Sequence, residues 1–160
     1  MYHISSDKRS KESAELIYQG LLSCMRQKGF DAITISDLQK TSTVARSMFY
    51  RSFDAISDVL YWKCDLSFAE VLDRFHPTQT SGEIGFARYY FQYWMDHSDI
   101  LELLVSIHRE DIIYDCHMQR AEELRKRYGA MPGTKEEHGD YFMAIRTSFT
   151  IGILMVWLKR

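Results

Sequence analysis

The sequence predicts an all-α protein: a small three-helix head at the N-terminus, then a C-terminal helical bundle. Three observations predict it. The 160 residues contain only 2 prolines, Pro77 and Pro132, both in loop-like stretches, so long segments run unbroken. Apolar residues in those segments recur at three- and four-residue spacing. The stretch Phe30 to Phe53 reads as two short helices around a tight polar break.

The first helix is expected from about Lys8 to Lys28, with Ala14, Ile17, Leu21, Cys24 and Met25 as its apolar stripe and Gly29 as its stop. Thr34 can accept a hydrogen bond from the Asp37 N–H and so cap a second helix beginning at Ile35, where Asp37 suits the positive end of the dipole. Lys40-Thr41-Ser42-Thr43 is poor in helix formers and breaks the chain. A third helix starts near Val44 or Ala45 and places Phe49 and Phe53 on one face, with Met48 and Tyr50 flanking Phe49. The fourth runs from about Ala55 to Phe75 and carries Ile56, Val59, Leu60, Leu66, Val71 and Leu72. His76 to Gly82 reads as a loop. The fifth, about Glu83 to Met95, holds Phe86, Tyr89, Tyr90, Phe91, Tyr93 and Trp94. Ser98 can cap a sixth from Asp99 to Ser106, and the seventh reaches Tyr128, ended by Gly129. Thr134 and Glu137 form a capping-box pattern for a last helix that continues to the C-terminus. The expected division is residues 1–54 as head and 55–160 as bundle.

On the third helix, Arg46, Ser47, Tyr50 and Arg51 lie away from the Phe49–Phe53 face. Two cations, a hydroxyl and a phenol suit a helix lying on DNA phosphates and base edges. The segment resembles the DNA-binding head of the tetracycline-repressor (TetR) family of bacterial regulators. Gly29, Phe30, Thr34, Ile35, Asp37, Leu38, Val44, Phe49, Tyr50 and Phe53 stand at that family's spacing. Departures are Thr43 where the family usually has Gly, Ala45 for a Ser or Thr cap, Ser47 for a smaller residue, Met48 for a common Thr, and Ile56 for a phosphate-touching Lys. Each lost hydroxyl or cation removes a phosphate contact and lowers expected non-specific affinity. The resemblance implies a TetR-like fold and a double-stranded DNA operator met by Thr34, Thr43, Ala45, Arg46, Ser47, Met48, Tyr50 and Arg51.

The bundle is apolar on more than one helix face. Six aromatics between Phe86 and Trp94 exceed what one packing seam uses, so the expectation is either plain core or the wall of an effector pocket. The resemblance implies the pocket, and the expected lining is Trp62, Leu66, Tyr89, Tyr93, Trp94, His108, Tyr114, His117 and Phe149. No unpaired Arg or Lys stands among these rings in the sequence reading, so the effector is expected to be small and mostly apolar. The last helix carries two apolar faces. One holds Tyr141, Ile145, Ser148, Phe149, Gly152 and Val156, the other Phe142, Ile151, Leu154, Met155 and Leu158. Two faces imply two partners, the chain's own core and a second copy. In the family the last two helices pair in a homodimer, and this chain stops at Lys159-Arg160, where a further helix would follow.

Net charge is −2, with eight Lys and Arg against seven Asp and Glu in residues 1–60, so the more basic half is the head. No apolar run reaches transmembrane length and no leader pattern opens the chain, so the expectation is a cytoplasmic protein without a membrane partner. The 3 cysteines, Cys24, Cys64 and Cys116, read as free thiols. No phosphate loop, nucleophile elbow or metal-ligand spacing occurs among them or the 6 histidines, so neither catalysis nor a metal or cofactor is expected. Two alternatives stay open. One is a TetR-like protein that has lost tight DNA binding and acts through protein–protein contacts. The other is a helical enzyme using a His108, Asp111 and Asp115 face.

Overall fold

The computed structural model describes residues 1–74, 82–128 and 138–160. Among the described residues there are eight α-helices and no strand: α1 Lys8–Met25, α2 Ile35–Ser42, α3 Arg46–Ser52, α4 Ile56–Asp73, α5 Gly82–Asp96, α6 Asp99–Ser106, α7 Glu110–Tyr128 and α8 Gly139–Leu158. The all-α class holds. The chain divides into two compact units, Met1–Lys63 and Cys64–Arg160, so the division falls inside α4 and not ahead of it. The first unit closes around Val59, Leu60 and Trp62 as well as α1 to α3, which is why the division lies later than residue 54.

In the first unit α1 packs on α2 and α3. Asp7 caps α1 by accepting from the Ser10 N–H at 2.9 Å, and Ala14, Ile17, Tyr18, Leu21 and Cys24 are buried along one stripe. Tyr18 and Gly20 join the expected stripe, and Met25, expected in it, is half-buried. A Cβ on Gly20 would stand 2.7 Å from Ser42 Cβ, so a glycine there lets α2 approach α1 closely. Gly29 does not end α1 in a left-handed turn. Its φ is −60°, the cap is Arg26, and a 3-10 turn over Phe30–Ala32 leads on. Ahead of α1, Tyr2 bridges to Phe53 and the His3 N–H donates to the Ser52 carbonyl at 2.8 Å.

In the second unit α7 packs on α6 and α8, and α6 on α8. Ser98 precedes α6 as expected but does not bond its backbone; its hydroxyl donates to Glu102 at 2.5 Å. Thr134 and Glu137, the expected cap of the last helix, lie outside the described residues, as does the His76–Ser81 stretch of the expected loop. Met143, Thr147, Ile151 and Leu154 form the buried face of α8, whereas Phe142, Met155 and Leu158, expected on that face, are half-buried. That helix is long and apolar enough, by length and composition, to cross a membrane, where the sequence reading expected no such segment.

Candidate functional site

Local chemistry sets the helix-turn-helix of the first unit. The Thr34 hydroxyl accepts from the Asp37 N–H at 3.2 Å, and the Asp37 carboxylate accepts from the Thr34 N–H at 2.8 Å, a reciprocal cap that starts α2. Lys28 Nζ reaches the same carboxylate at 2.5 Å, and this bond, with those from Thr34, holds the Asp37 carboxyl well below the usual range. The turn is completed by Thr43 at φ 59°, a left-handed conformation that the side chain resists. Ser42 stabilises the turn from within: its hydroxyl donates to the Leu38 carbonyl at 2.6 Å and accepts from the Val44 N–H at 3.3 Å.

Helix α3 begins after Ala45, which offers no side-chain cap. Phe49 and Phe53 face inward, with ring centroids 5.8 Å apart, and Phe53 meets Trp62 at 6.0 Å. Opposite them Arg46, Ser47, Tyr50 and Arg51 are exposed, Thr34, Thr43 and Ala45 line the approach, and Met48 is half-buried. The Arg46 guanidinium lies 5.7 Å from the Tyr50 ring centroid and Nη2 donates to its hydroxyl at 3.4 Å. That contact holds a cation and a phenol together at the surface. Two of the expected residues arrive with their hydroxyl protons engaged: Thr34 Oγ1 donates to Asp37 and Thr43 Oγ1 to the Ser42 carbonyl. The donors left facing out are Arg46, Ser47, Tyr50 and Arg51.

The nine residues expected to line a pocket do not all meet. Trp62 belongs to the first unit, because the aromatic seam with Phe53 buries it there. Leu66 and Phe149 are exposed, at 44% and 71% of their surface. His108 is exposed in the turn between α6 and α7, at φ 57°, so it is neither in a helix nor among the rings. Tyr89 and Tyr114 are half-buried. Tyr93, Trp94 and His117 do converge, together with Phe68 and Tyr90, which the sequence reading left out of the lining. Phe68 meets Trp94 at 4.7 Å and His117 at 5.7 Å, and Tyr90 meets His117 at 5.9 Å. Phe68 and Tyr90 each meet His117 edge to face, and Phe68 meets Trp94 at a tilt of 57°, as core aromatics do. His117 Nδ1 pairs with Thr147 Oγ1 at 3.1 Å. Burial, and then the charge of Arg146, lower the His117 pKa to about 4. The charge of Arg146 is therefore felt within this cluster, where no cation was expected. The buried Trp94 indole N–H interacts with the Tyr90 hydroxyl.

The His108, Asp111 and Asp115 face does not form. His108 precedes α7, Asp111 is clasped by Arg109 at 2.8 and 2.9 Å, and Asp115 faces solvent. Among the described residues no group of His, Cys, Asp and Glu is placed to hold a metal. The outer face of α8 is assembled as its periodicity predicts. Tyr141, Ile145, Phe149 and Val156 are 74%, 68%, 71% and 60% exposed, and Ser148, Gly152 and Ile153 complete the stripe. Nothing lies within 4 Å of a Cβ built on Gly152.

No family model matches the chain, and no curated protein matches it by sequence. A solved structure, that of Lin0861 from Listeria innocua, is similar over 94% of this chain and 83% of its own, with a TM-score of 0.71 at 16% identity. At that identity the likeness establishes a shared all-helical fold.

Proposed function

We infer that the protein is a TetR-like DNA-binding regulator acting as a homodimer, with α3 as its reading helix. The observation that carries this is the α3 surface: Arg46, Ser47, Tyr50 and Arg51 exposed on one side, with Phe49 and Ser52 buried on the other. Arg46 and Arg51 would neutralise phosphates while Ser47 and Tyr50 donate to phosphates or base edges. The α8 stripe supports the dimer, since a contiguous apolar face of this size is rare on a monomer. A dimer presents two reading helices to successive major grooves, about 34–36 Å apart. A small, mostly apolar effector that bound one spacing better than the other would shift that population and release DNA. Tyr93, Trp94 and His117 are the residues left to support that effector limb. A reader of chromosomal DNA works in the cytoplasm.

One observation favours the rival, a protein of this fold that has given up tight DNA binding: α3 starts on Ala45 with no capping bond and no hydroxyl for a phosphate. A gel-shift titration over DNA flanking the gene, run at several salt concentrations, separates the two. The regulator reading expects Arg46→Ala to reduce the slope of log affinity against log salt by about 1, with Tyr50→Phe weakening binding modestly. Absence of binding at low salt, or both variants binding like wild type, supports the rival.

A further inference from the structure

Within the first unit the crossing of α1 and α2 is both tight and polar. A Cβ on Gly20 would stand 2.7 Å from Ser42 Cβ and 3.0 Å from Ser42 Cα and its backbone nitrogen, so the two backbones themselves meet there. Thr41 Oγ1 lies 3.1 Å from the Gly20 carbonyl and 3.4 Å from Cys24 Sγ, which sets a polar contact beside the close one. Gly20, Cys24 and Ser42 are buried. A buried hydroxyl needs partners, and Ser42 Oγ finds two along its own chain. It donates to the Leu38 carbonyl at 2.6 Å and accepts from the Val44 N–H at 3.3 Å. Val44 follows Thr43, whose φ of 59° turns the chain out of α2, and stands two residues ahead of α3.

We propose that Gly20 and Ser42 are positioning residues for α3. The missing Cβ at Gly20 sets how near α2 lies to α1. The Ser42 hydroxyl stands at that contact and ties the last turn of α2 to the Val44 N–H, so it sets the direction in which the chain leaves for α3. Two demands therefore fall on one residue: it must be small for α1 and must carry a hydroxyl for Val44. Ser42→Ala would keep only the first and Ser42→Thr only the second. The bond matters because Thr43 holds a positive φ that its own Cβ resists. The Ser42 bond to Val44 and the Thr43 Oγ1 bond to the Ser42 carbonyl at 2.6 Å offset that resistance. Close-packed backbones pass a displacement on and do not absorb it. How α3 is aimed is independent of what it reads, whereas the consequence for DNA rests on the function proposed above.

Ser42→Ala and Gly20→Ala in the full chain, read by amide chemical shifts and native-state hydrogen exchange, test this. Ser42→Ala should speed exchange at Val44 about fivefold, the worth of one hydrogen bond, and move the amide shifts of Arg46 to Tyr50. Amides of α1 around Ile17 should change by less than about twofold. Gly20→Ala should move the shifts at the crossing and those of α3 together. A loss of stability alone leaves the folded-state shifts of α3 where they are, so unmoved α3 shifts in Ser42→Ala would overturn the proposal. So would Val44 exchange within twofold of wild type. Ser42→Ala adds no bulk, so it decides the matter even if Gly20→Ala does not fold. In a gel shift, Ser42→Ala should bind DNA about three- to tenfold more weakly at an unchanged salt slope, since no phosphate contact is lost. Equal binding by wild type and Ser42→Ala would also overturn the proposal. Wild type that binds no DNA would remove the proposed function and leave the α3 shifts to decide how that helix is aimed.

Discussion

Substituting Ile145 by Glu tests the outer face of α8. Ile145 is 68% exposed, so about two thirds of its side chain is available to a partner. Fully burying such a side chain is worth about 1.5–3 kcal/mol, which makes the available part worth about 1–2 kcal/mol. A two-fold axis presents the residue twice, so removing it costs the dimer about 2–4 kcal/mol, before the penalty for placing a carboxylate in an apolar seam. At about 1.4 kcal/mol per decade, the dimer should weaken by roughly 30- to 1,000-fold. The same exposure means the isolated fold should barely notice, with a change within about 0.5 kcal/mol, as for other surface positions. Sedimentation velocity across the micromolar range, with helical content and thermal midpoint measured in parallel, reads both quantities. Wild type monomeric throughout would refute the reasoning. So would a variant that dimerises as tightly as wild type. A variant that unfolds would show that this face is internal to the fold.

Three further predictions concern the fold and its titration. Gly20→Ala places a Cβ 2.7 Å from Ser42 Cβ, and the resulting overpacking should cost about 1–3 kcal/mol in urea unfolding; a neutral result would mean α1 and α2 part readily. Thr43→Gly relieves a left-handed residue at φ 59° but loses the bond to the Ser42 carbonyl and adds unfolded-state entropy, so a net gain of up to about 1 kcal/mol is expected from the same measurement. The His117 pKa is lowered to about 4 by burial and by Arg146, so the unfolded chain binds that proton first as pH falls. Stability should therefore be unaffected by this group above about pH 6.5 and should decline by about 3 kcal/mol as pH drops towards 4. His117→Gln should flatten that part of the profile.

Much of this protein follows from short-range sequence, and the parts that do are those whose physics is local. The Thr34–Asp37 cap and the inward pairing of Phe49 with Phe53 need only residues within a turn or two of one another, whereas the break expected at Lys40 to Thr43 comes later, because α2 continues through Ser42 and only residues 43–45 leave the helix. The outer stripe of α8 is legible for the same reason, since a repeat near 3.6 residues fixes which side chains share a face before any partner is known. Tertiary structure decided the rest. Gly20 matters because α2 crosses α1 there, which no neighbour of Gly20 in sequence announces. His108 left the helix face because the α6–α7 turn takes a left-handed residue at that point. Trp62 joined the first unit and Phe68 the second because α4 serves both cores, so neighbours along one helix are buried in different places. Asp65 finds Arg120 only in the folded chain, from α4 to α7. A buried charge is settled by its distant partner, and sequence spacing carries no trace of that partner's position.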